Sequence, residues 1–490
     1  MKPFATLLLT LLGAGIAQAQ SCDCAANLTR LRELIERNYA GYTDKVTPAT
    51  SARHQQRFDS ALTAARAVTA PGDASPGDAS PAECTALLER YVQFFGDGHL
   101  QLAGPTPADA QAAAPERYPL TRVQAESYFR ANRTRLHPVE GLWQSDDYQL
   151  AVVRDQQSAT PRYVGVVLSA KNPNWQPGLV KMALRPVGKT YFDVTYTFGD
   201  FSREETEATQ TRNILDIFRA GPFEKTAPAG TQPVSLATYQ SPYPTSEVSI
   251  RWLDDRTVLL QLLHFRVQNQ RLLDSLMAHH AERLRRTPDW IIDVRNNGGG
   301  GTGTYRAILP YLYTGPIIGD GSRYWLSEEN VAKYEKALRE TTSWPVEVRQ
   351  FYEQAVARGK AQPNSWLDEP GDTIRYATVQ PNPKRVAVLA NQQSGSSAEI
   401  FVMTARQSQK VTTFGTNTGG VVDYGDGNEF SLACPDFRVS IPVRRSNYLD
   451  TVRYDGVGIA PDVRIPATER DWINVVRTYW KRPVQAQRRP

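Results

Sequence analysis

The stretch Asp289-Trp290-Ile291-Ile292-Asp293-Val294-Arg295 has the length and apolar centre of a buried strand. It runs straight through Asn296-Asn297 into four consecutive glycines, Gly298 to Gly301. Glycines directly after a buried strand let the backbone approach a substrate closely and aim N–H groups inward, and a tight surface turn needs fewer of them. From about Val248 onward the same alternation recurs. VSIRWL, TVLLQLLHF and RVAVLA read as strands, and Leu272–Arg286 and Ala398–Ser408 as amphipathic helices. Repeated βα units predict a layered α/β core with much of its sheet parallel. No Gly-Lys-Ser/Thr follows the glycines, so the P-loop reading falls away. Residues 331–358 are helical and charged, an insertion of the kind that shapes a cleft.

Upstream the pattern differs. Cys24, Leu28, Leu31, Ile35 and Tyr39 recur at helical spacing, and so do Cys84, Leu87, Leu88, Tyr91, Val92 and Phe95. Between them, PGDASPGDAS is a tandem repeat with the composition of a surface loop. From Gly141 the period changes to two. GLW, YQLAVV, YVGVVL, LVKMAL and YFDVTY predict a small antiparallel β-barrel or sandwich. The boundaries expected are a leader at 1–19, an N-terminal helical domain at 20–138, a small antiparallel β domain at 139–235 and a catalytic domain at 236–490. The β domain carries no recognisable catalytic element and is expected to scaffold or gate the cleft.

The leader reading rests on Lys2, the apolar run Phe4 to Ile16 and Ala17-Gln18-Ala19, a cleavable export signal too short to stay in a bilayer. It predicts a periplasmic or extracellular protein without stable membrane insertion. Ala19-Gln20-Ser21 before Cys22 lacks the pattern expected for lipidation. In an exported chain Cys22, Cys24, Cys84 and Cys434 are disulfide candidates. Cys24 and Cys84 both lie on apolar helix stripes, so a bridge from Cys84 to Cys24 or Cys22 is expected. Cys22-Asp23-Cys24 has the wrong spacing for zinc. The net charge of +5, with no long basic run, gives nucleic acid no foothold.

A second strand end matters as much as the first. Val386–Leu389 leads into Asn391-Gln392-Gln393-Ser394-Gly395-Ser396-Ser397-Ala398-Glu399, a serine-rich strand-to-helix turn. Serines there cap helices, and a helix N-terminus also favours developing negative charge. Taken with the glycine run, with VTTFGTNTGGVVD and with YDGVGIAPDV, in this order over residues 248–466, the chain resembles the tail-specific (C-terminal processing) and tricorn-core serine peptidases. The resemblance implies a crotonase-like α/β catalytic core and an acyl-transfer mechanism with no cofactor or metal. It implies Ser396 as nucleophile, and the N–H groups of Ser397 and Gly299 as oxyanion hole. Glu399 then anchors the catalytic helix.

The base divides that family. Tail-specific proteases use a lysine, and the matching position here is Val421. The tricorn branch uses a histidine, and Phe95-Gly96-Asp97-Gly98-His99-Leu100 resembles its short element, which makes His99 the base. Gly98 stands where that branch has a serine. Asp455 matches the acidic position that orients the base, with Asp97 as a local alternative. The substrate implied is a peptide or protein; the sequence leaves oligomeric state open. No Gly-Leu-Gly-Phe-like carboxylate loop is present, and the β domain lies where a PDZ domain is expected. Two other readings compete. One is a catalytically silent ligand-binding protein similar to the interphotoreceptor retinoid-binding proteins. The other is an acyl-CoA enzyme of crotonase type, which fits the core but not the export signal.

Overall fold

The structure is a computed structural model that describes residues 23–68, 81–104, 115–229, 233–239, 241–243, 246–466 and 468–482. The leader, Cys22, and the PGDAS repeat lie outside the described residues.

The core is a six-stranded sheet in the order 248–252, 257–262, 289–293, 385–390, 411–415 and 463–464. The first pair is antiparallel and the rest are parallel. Asp289–Asp293 is buried along its whole length, which a central strand covered on both faces requires. Alternate residues face opposite layers. Trp290, Ile292, Val386 and Val388 pack toward Leu273, Phe401 and Val402. Ile291, Ala387 and Leu389 pack toward Trp472, Val476 and Trp480 on the C-terminal helix Trp472–Trp480. The helix read from Leu272 to Arg286 is two helices, Val267–His279 and Ala281–Arg286, which meet at His280. The charged insertion is likewise a helix pair, Glu328–Glu340 and Val346–Ala361, separated by a segment that includes Pro345.

A second sheet ties the N-terminal helices to this core. Strand 438–446 carries 424–431, 322–326 and, at its far end, the three-residue strand Gln101–Ala103, where Leu102 pairs with Val439. The helices Cys24–Asn38, Ser51–Val68 and Pro81–Val92 pack on this sheet. Leu28, Leu31, Tyr91 and Phe95 share one core with Tyr424, Phe437, Val439 and Ile441. The loop that bears His99 therefore lies between the helix Pro81–Val92 and the strand Gln101–Ala103, both joined to the sheet around 438–446.

Cys24 and Cys84 form a disulfide across the helix pair, over a sequence separation of 60, and Cys434 is disulfide-bonded as well. Closing a loop of that length contributes about 4 kcal/mol in the chain-entropy model. Non-reducing peptide mapping is expected to recover a Cys24–Cys84 peptide, and reduction is expected to lower the melting temperature. A free thiol at Cys84 in non-reduced protein would remove the assignment.

The β domain is a closed barrel of eight antiparallel strands between Gly141 and Ala227. It is closed by pairing of the first strand with the last, Trp143 opposite Lys225. Three of its strands, 203–211, 214–217 and 221–227, are absent from the periodicity reading. Arg203–Thr211 reads REETEATQT and offers too few apolar residues to show a strand pattern. Trp143, Leu150, Leu184, Phe192 and Val194 fill the interior. The helix Arg122–Ala131 lays Ala125 and Phe129 on the outer wall against Val164 and Val166. On the side facing the α/β core, Asp193 of the barrel accepts from Arg470 at 2.6 Å.

Candidate active site

The site forms at the C-terminal ends of the parallel strands 289–293 and 385–390, where open α/β sheets place their ligands. Each strand runs into an asparagine, and the two asparagines hold each other. Asn296 N–H donates to Asn391 Oδ1 at 2.9 Å, and Asn391 Nδ2 donates to Asn296 Oδ1 at 2.7 Å. Arg295 folds back on Asp293 in a two-point ion pair, with Nε to Oδ1 2.9 Å and Nη2 to Oδ2 2.7 Å. The glycine run then passes under the serine turn. Gly299 has φ +102, and a Cβ there would lie 2.8 Å from Ser396 Cβ. Gly300 has φ +133 and passes so close to Phe265 that a Cβ would meet its carbonyl oxygen at 2.2 Å. No other residue type satisfies both the conformation and the approach.

Three serines share the second turn, and their hydrogen bonds separate them. Ser394 Oγ is buried and donates to Val294 O at 2.7 Å while accepting from Asn391 N–H. Ser397 Oγ donates to Gly300 O. Both of these hydroxyls are spent on backbone carbonyls. Ser396 differs. It precedes the helix Ser397–Arg406 with φ +54, an uncommon conformation for a residue with a Cβ. Its Oγ lies 3.1 Å from His99 Nε2, across 297 residues of sequence.

Glu399 holds the turn in this shape. It is fully buried, and four donors converge on its carboxylate. Thr418 Oγ1 and Gly420 N–H bond Oε1 at 2.6 and 2.9 Å; Val421 N–H and Ser396 N–H bond Oε2 at 2.8 and 3.0 Å. Glu399 thus clamps the Ser396 turn to the loop 418–421, with both carboxylate oxygens engaged. Sequence reading gave it an anchoring role but not the Thr418 and Gly420 partners, which lie about twenty residues further along the chain.

Val421 presents its side chain to Gly98. A Cβ on residue 98 would lie 2.0 Å from Val421 Cγ1. With Val421 in this position, residue 98 has no space for a side chain.

His99 donates its backbone N–H to Asp97 Oδ1 at 2.8 Å, and its Nδ1 is 3.9 Å from the same oxygen. Asp97 Oδ2 accepts from Tyr39 OH at 2.8 Å, so both oxygens of Asp97 are engaged. Asp455 accepts Val422 N–H and Asp423 N–H on Oδ1, at 3.1 and 3.0 Å. Its Oδ2 is buried without a hydrogen bond among the described residues, 3.9 Å from Lys45 Nζ. His99 Nδ1 is the other buried atom of this enclosure without a hydrogen-bond partner. Burial, then the charges of Asp97 and Asp423, push the Asp455 carboxyl up to about 7, against the backbone N–H bond and Lys45, which pull it down. Tyr39, Lys45 and Asp423 are members of this site that sequence reading missed. Tyr39 and Lys45 belong to no motif and arrive through the packing of the N-terminal helices, whereas Asp423 ends the VTTFGTNTGGVVD stretch.

Gly299 N–H donates to Asn297 Oδ1 at 2.9 Å, whereas Ser397 N–H makes no hydrogen bond among the described residues. Two clefts flank the serine. One, of about 720 Å³, is walled by Asp97, Gly98, Leu100, Gln101 and Val421. The other, of about 620 Å³, lies between the barrel and the sheet, with Gly298, Gln392 and Gln393 on one wall and Glu205, Glu207 and Arg219 on the other. Among the described residues no group of three or more His, Cys, Asp or Glu is arranged to hold a metal ion.

Ser396 and His99 are thus in contact beside the strand ends of the α/β sheet. Residues 257–465 match Peptidase family S41, and this domain makes the chain a serine-type peptidase. No curated protein matches the sequence. Among solved structures the chain is similar to mature CPAF, with 14% identity and a TM-score of 0.47 over 91% of this chain and 92% of that one. It is similar to the photosystem II D1 C-terminal processing protease, with 12% identity and a TM-score of 0.37 over 91% and 95%. It is also similar to the tricorn protease, with 10% identity and a TM-score of 0.37 over 90% of this chain and 34% of that one.

Proposed function

We propose that the chain is an exported serine peptidase that cleaves peptide bonds with Ser396 as nucleophile and His99 as general base. The observation that carries this reading is the 3.1 Å contact between Ser396 Oγ and His99 Nε2, made while the neighbouring serine hydroxyls are committed elsewhere. His99 Nε2 takes the Ser396 proton as Oγ attacks the peptide carbonyl. The oxyanion is held by Ser397 N–H, at the start of its helix, and by Gly299 N–H, which exchanges Asn297 Oδ1 for the oxyanion as the tetrahedral intermediate forms. The glycines on either side of Gly299 let that peptide turn at low cost. His99 then protonates the leaving amine, and water releases the acyl group by the same route in reverse. Asp455 is assigned the acidic role that supports His99, because its Oδ2 and His99 Nδ1 are both buried without a hydrogen-bond partner among the described residues, while Asp97 fixes the backbone of the histidine loop. Export is supported by the Cys24–Cys84 disulfide, and among the described residues no helix is long and apolar enough to cross a membrane.

A fluorophosphonate probe tests the reading. The native protein is expected to be labelled covalently at Ser396, and His99→Ala and Ser396→Ala to resist labelling while remaining folded. Absence of labelling in folded native protein would favour a silent binding protein on the same scaffold.

A further inference from the structure

Lys181 sits at one end of the barrel interior and is only 1% exposed. Its ammonium has no hydrogen bond and no ion pair among the described residues. Three rings surround it instead: Trp175 at 4.0 Å, Tyr148 at 4.1 Å and Tyr196 at 4.9 Å from Nζ to ring centroid. Such contacts offset part of the cost of burying a charge, typically by about 0.5–2 kcal/mol each, but they supply no hydrogen bond to its three donors. A buried cation without an anion is a costly arrangement, and a methionine would fill the same space.

Lys181 does not end in a sealed core. It lines a cavity of about 420 Å³ at the barrel mouth, with Tyr148, Tyr196, Phe198, Asn172 and Arg219. Arg219 brings a second cation to the rim, on a backbone with φ +67 that a residue with a Cβ seldom adopts. It pairs with Glu204 at 2.9 Å and also lines the cleft beside the glycine loop, so the cavity adjoins that cleft. The acid in the cavity wall, Asp147, is turned to Lys171 at 3.6 Å, and nearby Asp200 accepts from Ser202. The cavity therefore presents aromatic walls and a buried ammonium that has no anion among the described residues, beside a guanidinium already paired with Glu204.

The geometry points to a binding site for a carboxylate with an apolar or aromatic tail, held by an ion pair to Lys181 Nζ with its tail among Tyr148, Tyr196 and Phe198. The site is separate from Ser396 and does not depend on the peptidase reading. Its volume suits an acid of roughly ten heavy atoms, or the terminal residue of a peptide.

Protonation gives the site a signature. Burial pulls the Lys181 amine down to about 7, with Asp200 and Asp147 acting the other way. Tyr148 and Tyr196 are pushed upward by burial, so the lysine is the group of the cavity brought toward neutrality. A carboxylate gains from the ammonium and not from the amine, so affinity falls as pH rises past this value.

The test is titration of the full chain with 3-phenylpropanoate, followed by calorimetry or NMR. Saturable binding at about pH 6, at least tenfold weaker at about pH 9 and absent for 3-phenylpropanamide, is the expected result. Lys181→Met is expected to weaken binding at least tenfold, to keep fluorophosphonate labelling of Ser396, and to melt no lower than the native protein. A peptide ending in phenylalanine, with free or amidated terminus, identifies the source. Displacement by the free form alone assigns the carboxylate to a chain end, and no displacement assigns it to free acids; either result supports the site. Failure to bind the acid at about pH 6, or equal binding by acid and amide, overturns it without need of the variant.

Discussion

His99→Ala is expected to lower kcat by about 10³–10⁶-fold on a peptide substrate, as Ser396→Ala does, with the double variant little worse than either single one. The reason is geometric. A serine hydroxyl is a weak nucleophile until a base removes its proton, and His99 Nε2 is the basic atom at hydrogen-bond distance from Ser396 Oγ. Val421 offers no proton acceptor in its side chain, which faces Gly98. Residues of one catalytic unit fail together, which is why the effects do not add. The residual rate reports the N–H groups of the oxyanion site alone. Near-normal turnover by His99→Ala on a peptide that Ser396→Ala cannot cleave would place the base elsewhere.

The parts of this site that were legible in the sequence are those encoded locally. Asp289–Arg295 followed by four glycines, and Val386–Leu389 followed by a serine turn, each announce a buried strand that ends in a functional loop. The sheet pairs those two strands in parallel register, with Asp293 opposite Leu389. What joins them to His99 was not local. Family resemblance singled out His99, but no spacing rule brings residue 99 to residue 396. That step is taken by Gln101–Ala103, too short and too polar to read as a strand, which pairs with 438–446 and draws the histidine loop onto the catalytic half.

The same reasoning explains why the acidic members were hard to read. Asp97 and Asp455 are indistinguishable as residue types, and both lie in glycine-rich turns. Their roles separate only through their partners: Asp97 is filled by Tyr39 OH and by the His99 N–H, whereas Asp455 keeps one oxygen unbonded. In the barrel, Lys181 escaped notice because LVKMAL reads as a strand with one outward lysine. A shift in register beside Val166–Val180 alters the alternation there, and both Lys181 and Met182 end up buried.

Asp455→Asn is expected to lower kcat by about 10²–10⁴-fold while raising thermal stability above neutral pH, a pair of effects that a purely structural residue would not give. The asparagine oxygen can still accept the Val422 and Asp423 N–H groups, so the loop is kept. What is lost is the carboxylate charge on Oδ2, the oxygen that has no hydrogen bond among the described residues. The stability change follows from the direction of the carboxyl shift. In the unfolded chain Asp455 ionises near 4, and in the fold it holds its proton up to about 7. Its contribution to stability is therefore complete below about pH 4 and is lost as pH rises through 7, where the native protein must bury a charge near Asp97 and Asp423. Asparagine carries no such cost, so the variant should melt higher at pH 8 and show little advantage at pH 4. In the native enzyme the acid limb of kcat/KM is expected near pH 7, since Asp455 must ionise to support His99. Asp97→Asn separates the two carboxylates. It retains an acceptor for the His99 N–H and should cost less than about tenfold in kcat. Because the Asp97 charge is one of the causes that raise Asp455, its removal should also move the acid limb to lower pH. A pH profile of both variants decides the matter. If Asp97→Asn abolishes turnover while Asp455→Asn retains it, the roles are reversed, and the histidine takes its support from the residue two places before it in the chain.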